Sequence, residues 1–200
     1  MDQFTKLNLW TLDTIGIDSL VYLDADALVL RNFDEIFSLP YPFAAVPDVF
    51  LDSRGFVVDF NAGFLFLKPD SRIYAAMIEA LPTARFPPEY AEQAFLNQFF
   101  AANAVRLPYV YNGNLAYKKR SPAMWQDIWS EMRVIHYTIA KPFVGRHFKQ
   151  LRWDDLDRRV VEAAASEGGM FRQEMELWGK MWGETHIAYE QTREACWNSS

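Results

Sequence analysis

Short apolar runs recur along the chain up to residue 145, and each has the length of a β-strand. They cover residues 19–23, 43–47, 60–67, 105–110 and 132–139. Few polar residues interrupt these runs, as is typical of strands that are covered on both faces. Segments with helical spacing separate them, so the pattern predicts an α/β domain with a mostly parallel sheet.

The segments between the runs carry apolar residues three or four positions apart. We predict helices or helical turns at residues 5–11, 32–39, 71–81 and 89–102. Gly16 is expected to end the first of these helices. Ser71 is expected to cap the third helix, whose buried face is predicted to contain Ile73, Met77, Ile78 and Leu81.

The pattern changes after residue 149. Residues 154–165 and 170–182 read as amphipathic helices, with Trp178 and Trp182 one turn apart. We therefore predict an α/β domain at residues 1–149 and a helical extension at residues 150–200. The extension is expected to cover that domain or to pack against a partner.

Composition narrows the class of protein. The chain has 200 residues, half of them hydrophobic, and a net charge of −6, which argues against a nucleic-acid partner. A single cysteine, Cys196, excludes an internal disulfide framework or a cysteine-based zinc site and fits a reducing compartment. No apolar run is long enough to span a bilayer.

One apolar run, LVYLDADALVL at residues 20–30, contains two carboxylates, Asp24 and Asp26. Burial of a carboxylate is costly unless a partner compensates. In a strand both side chains would project to the same side, at the strand end that opens onto a ligand crevice. A hard divalent cation such as Mn²⁺ or Mg²⁺ would relieve their repulsion. The alternative is a solvated loop in which both aspartates cap the turn before Leu28.

Three further groups of polar residues border predicted strands or helices. Asn61 offers an amide to a hydroxyl-rich ligand, and Gly63 permits a close backbone approach; the alternative is a β-bulge with a capping asparagine. Glu92 and Gln93 could meet the same ligand from the first turn of a helix, or form an ordinary exposed face. His136 ends an apolar strand, where it is either a metal ligand or a hydrogen-bonded core residue.

The order of these blocks is more specific than any one of them. T-K-L precedes D-x-D, and P-D, N-A-G, E-Q-x-x-L-N and H…K-P-F follow. In this order the blocks resemble glycosyltransferase family 8, the retaining nucleotide-sugar transferases of the glycogenin and galactinol synthase kind. The resemblance covers residues 4–145 and is carried by FTKLNLW, YLDADALVLRNFDEIFSLP, FNAGFLFLKP, AEQAFLNQFF and VIHYTIAKPF.

The resemblance implies a GT-A-type, Rossmann-like nucleotide-diphospho-sugar transferase fold. It implies a retaining enzyme that moves a hexose from a UDP-sugar to an acceptor hydroxyl. Asp24, Asp26 and His136 would bind Mn²⁺ (or Mg²⁺), which bridges the diphosphate. Lys141 would contact that diphosphate, and Lys6 would lie near the phosphates or the donor sugar.

The remaining roles concern the donor sugar. Asp48, Asn61 and Gly63 would hold its hydroxyls, Gln93 would lie beside the anomeric carbon, and Glu92 stands where glycogenin has an aspartate. Gln93, Glu92 and Lys6 are thus the predicted catalytic residues. No side chain is an evident strong nucleophile, which favours attack on the front face over a covalent intermediate. The sequence names neither the donor sugar nor the acceptor.

The sequence departs from the family pattern in three places. The segment from His136 to the K-P-F block is shorter than in the family, with Ile139 at the position of a glycine and Phe143 replacing a tryptophan. Glu92 is longer than the family aspartate. Family members also have a stretch before the T-K-L block, so we expect a fold that lacks the first strands of the nucleotide-binding sheet.

Two alternatives remain open. One is a catalytically inactive fragment or degenerate transferase that acts as a binding module. The other is a haloacid-dehalogenase-like phosphohydrolase, which needs a hydroxyl residue soon after the second aspartate, where Leu28 and Val29 stand instead. We expect a cytoplasmic location, or the Golgi lumen if a membrane anchor precedes this sequence.

Overall fold

The computed structural model of the chain describes residues 2–144, 153–190 and 192. They fall into two compact units, one ending at His136 and the other beginning at Tyr137. The predicted boundary at 149/150 and Cys196 lie outside the described residues, so the division into domains 1–149 and 150–200 stays a prediction.

The first unit contains two β-sheets. Its strands are β1 (Leu20–Leu23), β2 (Ala27–Val29), β3 (Phe43–Val49), β4 (Phe56–Leu67), β5 (Val105–Arg106), β6 (Gly113–Asn114) and β7 (Val134–His136). The larger sheet has the order β1-β4-β3-β5, and the smaller has the order β2-β7-β6.

Most of the strand pairing in the described residues is antiparallel. β4 pairs antiparallel with both β1 and β3, and β2 pairs antiparallel with β7; only the short pairs β3–β5 and β6–β7 are parallel. The prediction of a mostly parallel sheet is therefore wrong. The apolar runs indicate that both faces of the strands are covered, but this does not determine the direction in which a strand runs.

Both faces of the larger sheet are buried. Side chains alternate along β3 and β4, so that Phe43 and Leu65 join one core and Ala44 and Phe66 join the other. The first core is closed by helices, which pack Trp10, Met77 and Leu96 among others against the sheet. Strands buried on both sides account for the nearly continuous hydrophobicity seen in the sequence.

The helices of the first unit are α1 (Ser71–Ala80), α2 (Ala91–Phe100), α3 (Leu115–Arg120) and α4 (Pro122–Trp129). A 3₁₀ helix, Asp2–Ile15, precedes β1, and Gly16 follows it with a φ of +82°, as predicted for a helix end. Shorter 3₁₀ turns are Asp34–Ser38, Leu81–Thr83, Pro88–Tyr90, Ala101–Asn103 and Tyr109–Tyr111.

Two details of α1 differ from the prediction. Asp70, rather than Ser71, caps the helix, because its side chain accepts a hydrogen bond from the Arg72 amide. Ser71 instead donates to Asp13 from both its amide and its hydroxyl. Ile78 is exposed and so does not belong to the buried face with Met77.

The second unit contains α5 (Trp153–Ala165), a 3₁₀ turn (Ser166–Gly169) and α6 (Arg172–Ala188), which confirms the two predicted helices. The Trp178 and Trp182 rings stack along α6 with an interplanar angle of 9°. The buried Tyr137 hydroxyl donates to the Glu174 carbonyl oxygen at 2.7 Å. Within the described residues, no helix is both long and apolar enough to cross a membrane.

Candidate functional site

Asp24 and Asp26 lie in a turn between two strands. β1 ends at Leu23 and β2 begins at Ala27, whose amide donates to the Asp24 carbonyl oxygen at 3.1 Å. The Asp24 amide is fixed in turn by the Gly63 carbonyl oxygen at 3.0 Å. The prediction of one strand carrying both aspartates is therefore wrong, and the turn rather than strand alternation places the two carboxylates together.

Strand pairing brings His136 to the same place. In the antiparallel β2–β7 ladder, Ala27 lies opposite His136. His136 Nε2 is 3.1 Å from Asp26 Oδ1 and 3.9 Å from Asp24 Oδ2. One potential ligand atom from each of Asp24, Asp26 and His136 lies within 4.8 Å of the other two. The structure thus assembles the three residues predicted to bind a metal.

A chain of amides orients the His136 ring. The Gly63 amide donates to Asn61 Oδ1 at 2.9 Å, which identifies that oxygen as an acceptor. Asn112 Nδ2 donates to the same oxygen at 3.0 Å, so Asn112 Oδ1 is the atom 3.0 Å from His136 Nδ1. Nδ1 must then carry the proton, and Nε2 faces the carboxylates, as a metal-binding imidazole requires.

The donor set fits a divalent cation. Two carboxylates and one imidazole nitrogen suit Mn²⁺ or Mg²⁺ and leave other coordination positions for ligand oxygens. The Asp24 side chain is 32% exposed, which keeps one side of the cluster accessible. The buried His136, by contrast, is held by the core, so the cluster combines a fixed ligand with an open side.

Lys6 joins this cluster to the start of α2. Its Nζ lies 2.7 Å from Glu92 Oε1, 3.2 Å from Asp24 Oδ1 and 3.0 Å from the Ala62 carbonyl oxygen. The Lys6 and Glu92 side chains are only 9% and 10% exposed. An ordinary exposed face, the alternative for Glu92, is therefore wrong.

Tyr22 adds a hydroxyl to the same carboxylate. Its OH donates to Asp24 Oδ1 at 2.8 Å, and Lys6 Nζ lies 4.7 Å from the centre of its ring. Burial raises the pKa of Tyr22 far above its usual value, and the hydrogen bond to Asp24 raises it further. The phenol is thus protonated at neutral pH and acts as a donor to Asp24.

Asp48 is a buried carboxylate held by neutral donors. The β3–β4 register shifts on both sides of Pro47, which has no amide hydrogen to give to the ladder. In this irregular stretch Asp48 accepts hydrogen bonds from Val49 N (2.8 Å), Asn61 Nδ2 (3.3 Å), Asn114 Nδ2 (3.4 Å) and Gln93 Nε2 (2.8 Å). Its burial raises the pKa of Asp48.

Gln93 connects α2 to both sides of this arrangement. Its Nε2 donates to Asp48, and its Oε1 accepts from the Ala62 amide at 2.9 Å. Hydrogen bonds therefore run from Gln93 through Asp48, Asn61 and Asn112 to His136. The side chains predicted to hold a metal and a donor sugar form one connected network.

Lys141 is the one predicted site residue that lies in the second unit. Its contact with a diphosphate therefore stays a prediction. Sequence reasoning missed three contributors to the site: Tyr22, Asn112 and Asn114. The polar Y-N-G-N stretch at 111–114, between two apolar segments, was the available signal for the two asparagines.

Comparison with known proteins identifies the family. The model of glycosyl transferase family 8 matches residues 1–143. The chain belongs to this family. Among family 8 relatives, galactinol synthase 1 of Solanum lycopersicum is 30% identical over 160 residues, which cover 70% of this chain and 49% of that protein. Glycogenin of Neurospora crassa is 32% identical over 142 residues, or 70% and 20% of the two chains.

Solved structures agree on the fold. The apo-form glycosyltransferase GlyE of Streptococcus pneumoniae TIGR4 aligns with a TM-score of 0.54 at 18% identity, over 92% of this chain and 46% of that one. The galactosyltransferase LgtC aligns with a TM-score of 0.52 at 19% identity, over 82% and 66%. The family 8 chain therefore has a mixed α/β, GT-A-type fold. It spans about half or less of the length of the two curated relatives.

Proposed function

We propose that this chain carries the metal and donor-sugar site of a retaining glycosyltransferase. The reaction would move a hexose from a UDP-sugar to an acceptor hydroxyl. The observation that carries the proposal is the Asp24, Asp26 and His136 cluster, with ligand atoms within 4.8 Å of one another. Membership of glycosyl transferase family 8 supports the reaction class.

Asp24, Asp26 and His136 would hold Mn²⁺ or Mg²⁺, which supplies positive charge opposite a diphosphate leaving group. Asn112 keeps His136 in the tautomer with Nε2 free for this purpose. Tyr22 donates to Asp24 Oδ1, which orients the carboxylate. These outer contacts give the ligands a fixed geometry before any cation or nucleotide binds.

Lys6 provides a second positive charge beside the cluster. Its Nζ is 3.2 Å from Asp24, a proposed ligand, and so lies close to where the phosphates would be held. An ammonium group placed there stabilises negative charge that develops on the leaving diphosphate. Glu92 Oε1 lies 2.7 Å from Lys6 Nζ and holds the ammonium group in place, so the carboxylate has a positioning role.

Asp48, Asn61, Gly63 and Gln93 would hold the hydroxyls of the donor sugar. Asp48 and the two amides offer both acceptors and donors, which suits a ligand rich in hydroxyl groups. Gln93 is an amide and Glu92 is paired with Lys6, so neither is a free strong nucleophile. This supports front-face attack by the acceptor hydroxyl over a double displacement through a covalent intermediate.

Calorimetric titration of UDP into the purified chain tests the proposal, with Mn²⁺ and with EDTA. We expect binding that requires the metal and that Asp26→Asn weakens by at least about tenfold, as loss of one ligand should. Asp18→Asn, which alters an exposed aspartate outside the cluster, should leave UDP affinity unchanged.

Two results would count against this function. UDP that binds equally well in EDTA would show that the cluster does not hold a metal for the diphosphate. A folded protein that binds no UDP in either buffer would favour the alternative of a binding module without transferase activity.

A further inference from the structure

Asn97, the last residue of the E-Q-x-x-L-N block, lies on the same face of α2 as Gln93, one turn further along the helix. Its side-chain amide makes three hydrogen bonds, and all three are to backbone groups. Oδ1 accepts from the Phe60 amide at 2.8 Å, while Nδ2 donates to the carbonyl oxygens of Phe60 at 2.8 Å and of Gln93 at 3.0 Å. Asn97 therefore joins the backbone of α2 to the backbone of β4.

The part of β4 that Asn97 contacts extends past the strand on one side of it. β1 pairs with residues 64–67 of β4, and Phe60 and Ala62 lie beyond the end of that pairing. Both residues are buried, and a buried backbone group without a hydrogen bond is costly. Asn97 supplies both the acceptor and the donor for Phe60, as the peptide groups of a neighbouring strand would.

Side chains also replace a strand at Ala62, the next such position on β4. Its amide donates to Gln93 Oε1 at 2.9 Å, and its carbonyl oxygen accepts from Lys6 Nζ at 3.0 Å. Gln93 Nε2 donates in turn to Asp48 Oδ2 at 2.8 Å. Two amides one turn apart on α2 thus bind two successive positions of β4. The register of the helix against the strand determines where the Gln93 side chain lies.

The backbone is strained at both ends of α2. Ala91, its first residue, has a φ of +44° and a ψ of −128°, and Ala101, which follows the helix, has a φ of +37° and a ψ of −110°. A residue with a Cβ keeps such angles only where surrounding contacts impose them. Asn97 makes contacts of that kind between the two ends. Without them, relaxation at Ala91 or Ala101 would move the helix and with it Gln93.

We propose that Asn97 is a positioning residue of the donor-sugar site and that it acts through Gln93. The assignment rests on the proposed glycosyltransferase function, in which Gln93 lies beside the anomeric carbon. Both amide hydrogens of Asn97 are used by backbone carbonyl oxygens, so Asn97 acts on the sugar through the place that it gives Gln93. Its loss should weaken the contribution of the hexose to binding and preserve that of the diphosphate.

The test is calorimetric titration of the full chain, with Mg²⁺ present, by UDP, UDP-glucose and UDP-galactose. The measured quantity is the ratio of the affinity for the tighter-binding UDP-hexose to the affinity for UDP. The variants are Asn97→Ala, Gln93→Ala and the double variant that combines them. Asn97→Asp, which has the same shape as the wild type, serves as well if the alanine variant fails to fold. Gln126→Ala, which removes an exposed amide from α4, is the matched control.

We expect Asn97→Ala to lower this ratio at least about fivefold, as the loss of a hydrogen bond to the sugar would. Its affinity for UDP should stay within about twofold of the wild type, because the change lies outside the metal cluster. At pH 8, Asn97→Asp keeps the acceptor for Phe60 but loses both donors, so it should lower the ratio as well. In the Gln93→Ala background, Asn97→Ala should change the ratio by less than about twofold, since the side chain it positions is gone.

A role of Asn97 in stability alone predicts different results. The affinities for UDP and for the UDP-hexose would then fall together, and their ratio would stay at the wild-type value. A wild-type ratio in Asn97→Ala or Asn97→Asp would overturn the assignment. An equal drop in the ratio with and without Gln93 would overturn it too, because Asn97 would then not act through that residue. Gln126→Ala should match the wild type in both affinities.

Backbone hydrogen exchange separates this assignment from the proposed function, because it needs no nucleotide. The Ala62 amide, which is bonded to Gln93 Oε1, should exchange at least about tenfold faster in Asn97→Ala, relative to the amides of the β1–β4 ladder. UDP binding with an unchanged ratio and unchanged exchange at Ala62 contradicts the role of Asn97 alone. Faster exchange at Ala62 in a chain that binds no UDP supports the positioning of Gln93 by Asn97 and contradicts the transferase function.

Discussion

Gly63 lies directly against the ring of His136. A Cβ added at Gly63 would be 2.1 Å from His136 Cε1 and 2.6 Å from Nδ1, far inside contact distance. The His136 ring is itself held by Asn112, and β7 fixes its backbone. The absence of a side chain at Gly63 is therefore what allows the imidazole to reach the two aspartates.

Gly63→Ala should disrupt the metal cluster. Because the added methyl group would displace the His136 ring, we expect at least a tenfold loss of Mn²⁺ affinity. Overpacking of this buried position should also lower the free energy of unfolding by about 1–3 kcal/mol. Mn²⁺ titration and urea unfolding measure the two effects.

Gly183→Ala provides the comparison, because a Cβ there meets nothing within 4 Å. That substitution, in the middle of α6, should leave Mn²⁺ affinity unchanged and add up to about 1 kcal/mol of stability. Unaltered metal binding in Gly63→Ala would refute the role assigned to this contact.

Asn112→Ala should weaken metal binding through His136. Removal of Asn112 Oδ1 deprives the ring of the acceptor that fixes its tautomer, and loss of such a partner typically costs about 10–100-fold in metal affinity. Asn112→Asp keeps an acceptor near Nδ1 while it loses the donor to Asn61 Oδ1.

The aspartate variant should therefore bind Mn²⁺ more tightly than the alanine variant, even if both unfold at lower urea concentration in EDTA. Equal losses of metal affinity in both variants would mean that Asn112 acts only through stability.

Lys6→Met should destabilise the fold by about 3–5 kcal/mol, because it leaves the buried Glu92 carboxylate without its partner. Combining it with Glu92→Gln should recover part of that loss, since the unpaired charge is then removed as well. Urea unfolding of the two single variants and the double variant gives the coupling free energy.

An exposed ion pair serves as the control for this cycle. On α6, Lys180 Nζ lies 3.9 Å from Glu184 Oε1, and the two side chains are 70% and 59% exposed. Lys180→Met should change the free energy of unfolding by less than about 1 kcal/mol. A similar small effect at Lys6 would show that its ion pair with Glu92 is not formed in solution.

The stability contributed by Asp48 should depend on pH. Burial raises the pKa of Asp48 in the folded state above the unfolded value of 3.8. The folded protein then binds more protons than the unfolded one, so stability falls as pH rises from about that value through the folded-state pKa. Asp48→Asn removes this titration.

The free energy of unfolding of Asp48→Asn, minus that of the wild type, should therefore increase between pH 4 and pH 7. The stability contributed by Asp52 should depend on pH in the opposite direction, because hydrogen bonds from Arg54 lower the pKa of Asp52 to about 2. The stability it adds is present above about pH 4 and is lost as pH falls toward 2. Urea unfolding across this range checks both signs.

The sequence by itself determined the family and most of the candidate site. The order of the blocks from T-K-L to K-P-F identified glycosyltransferase family 8, as the family match confirms. Asp24, Asp26 and His136 were predicted as one metal site, and the structure places them together. These polar residues interrupt or end apolar runs, and such a break in the hydrophobic pattern can be read directly from the sequence.

Only the tertiary structure decided which strands pair and which side chains meet. The apolar runs gave the strands of the larger sheet but not their antiparallel direction, because burial on both faces leaves the same pattern in either case. The Asp26–His136 contact joins positions 110 residues apart, and nothing in the local sequence marks Tyr22 as a donor to Asp24. Contacts of this kind depend on how the whole chain folds back on itself, which hydrophobic periodicity does not encode.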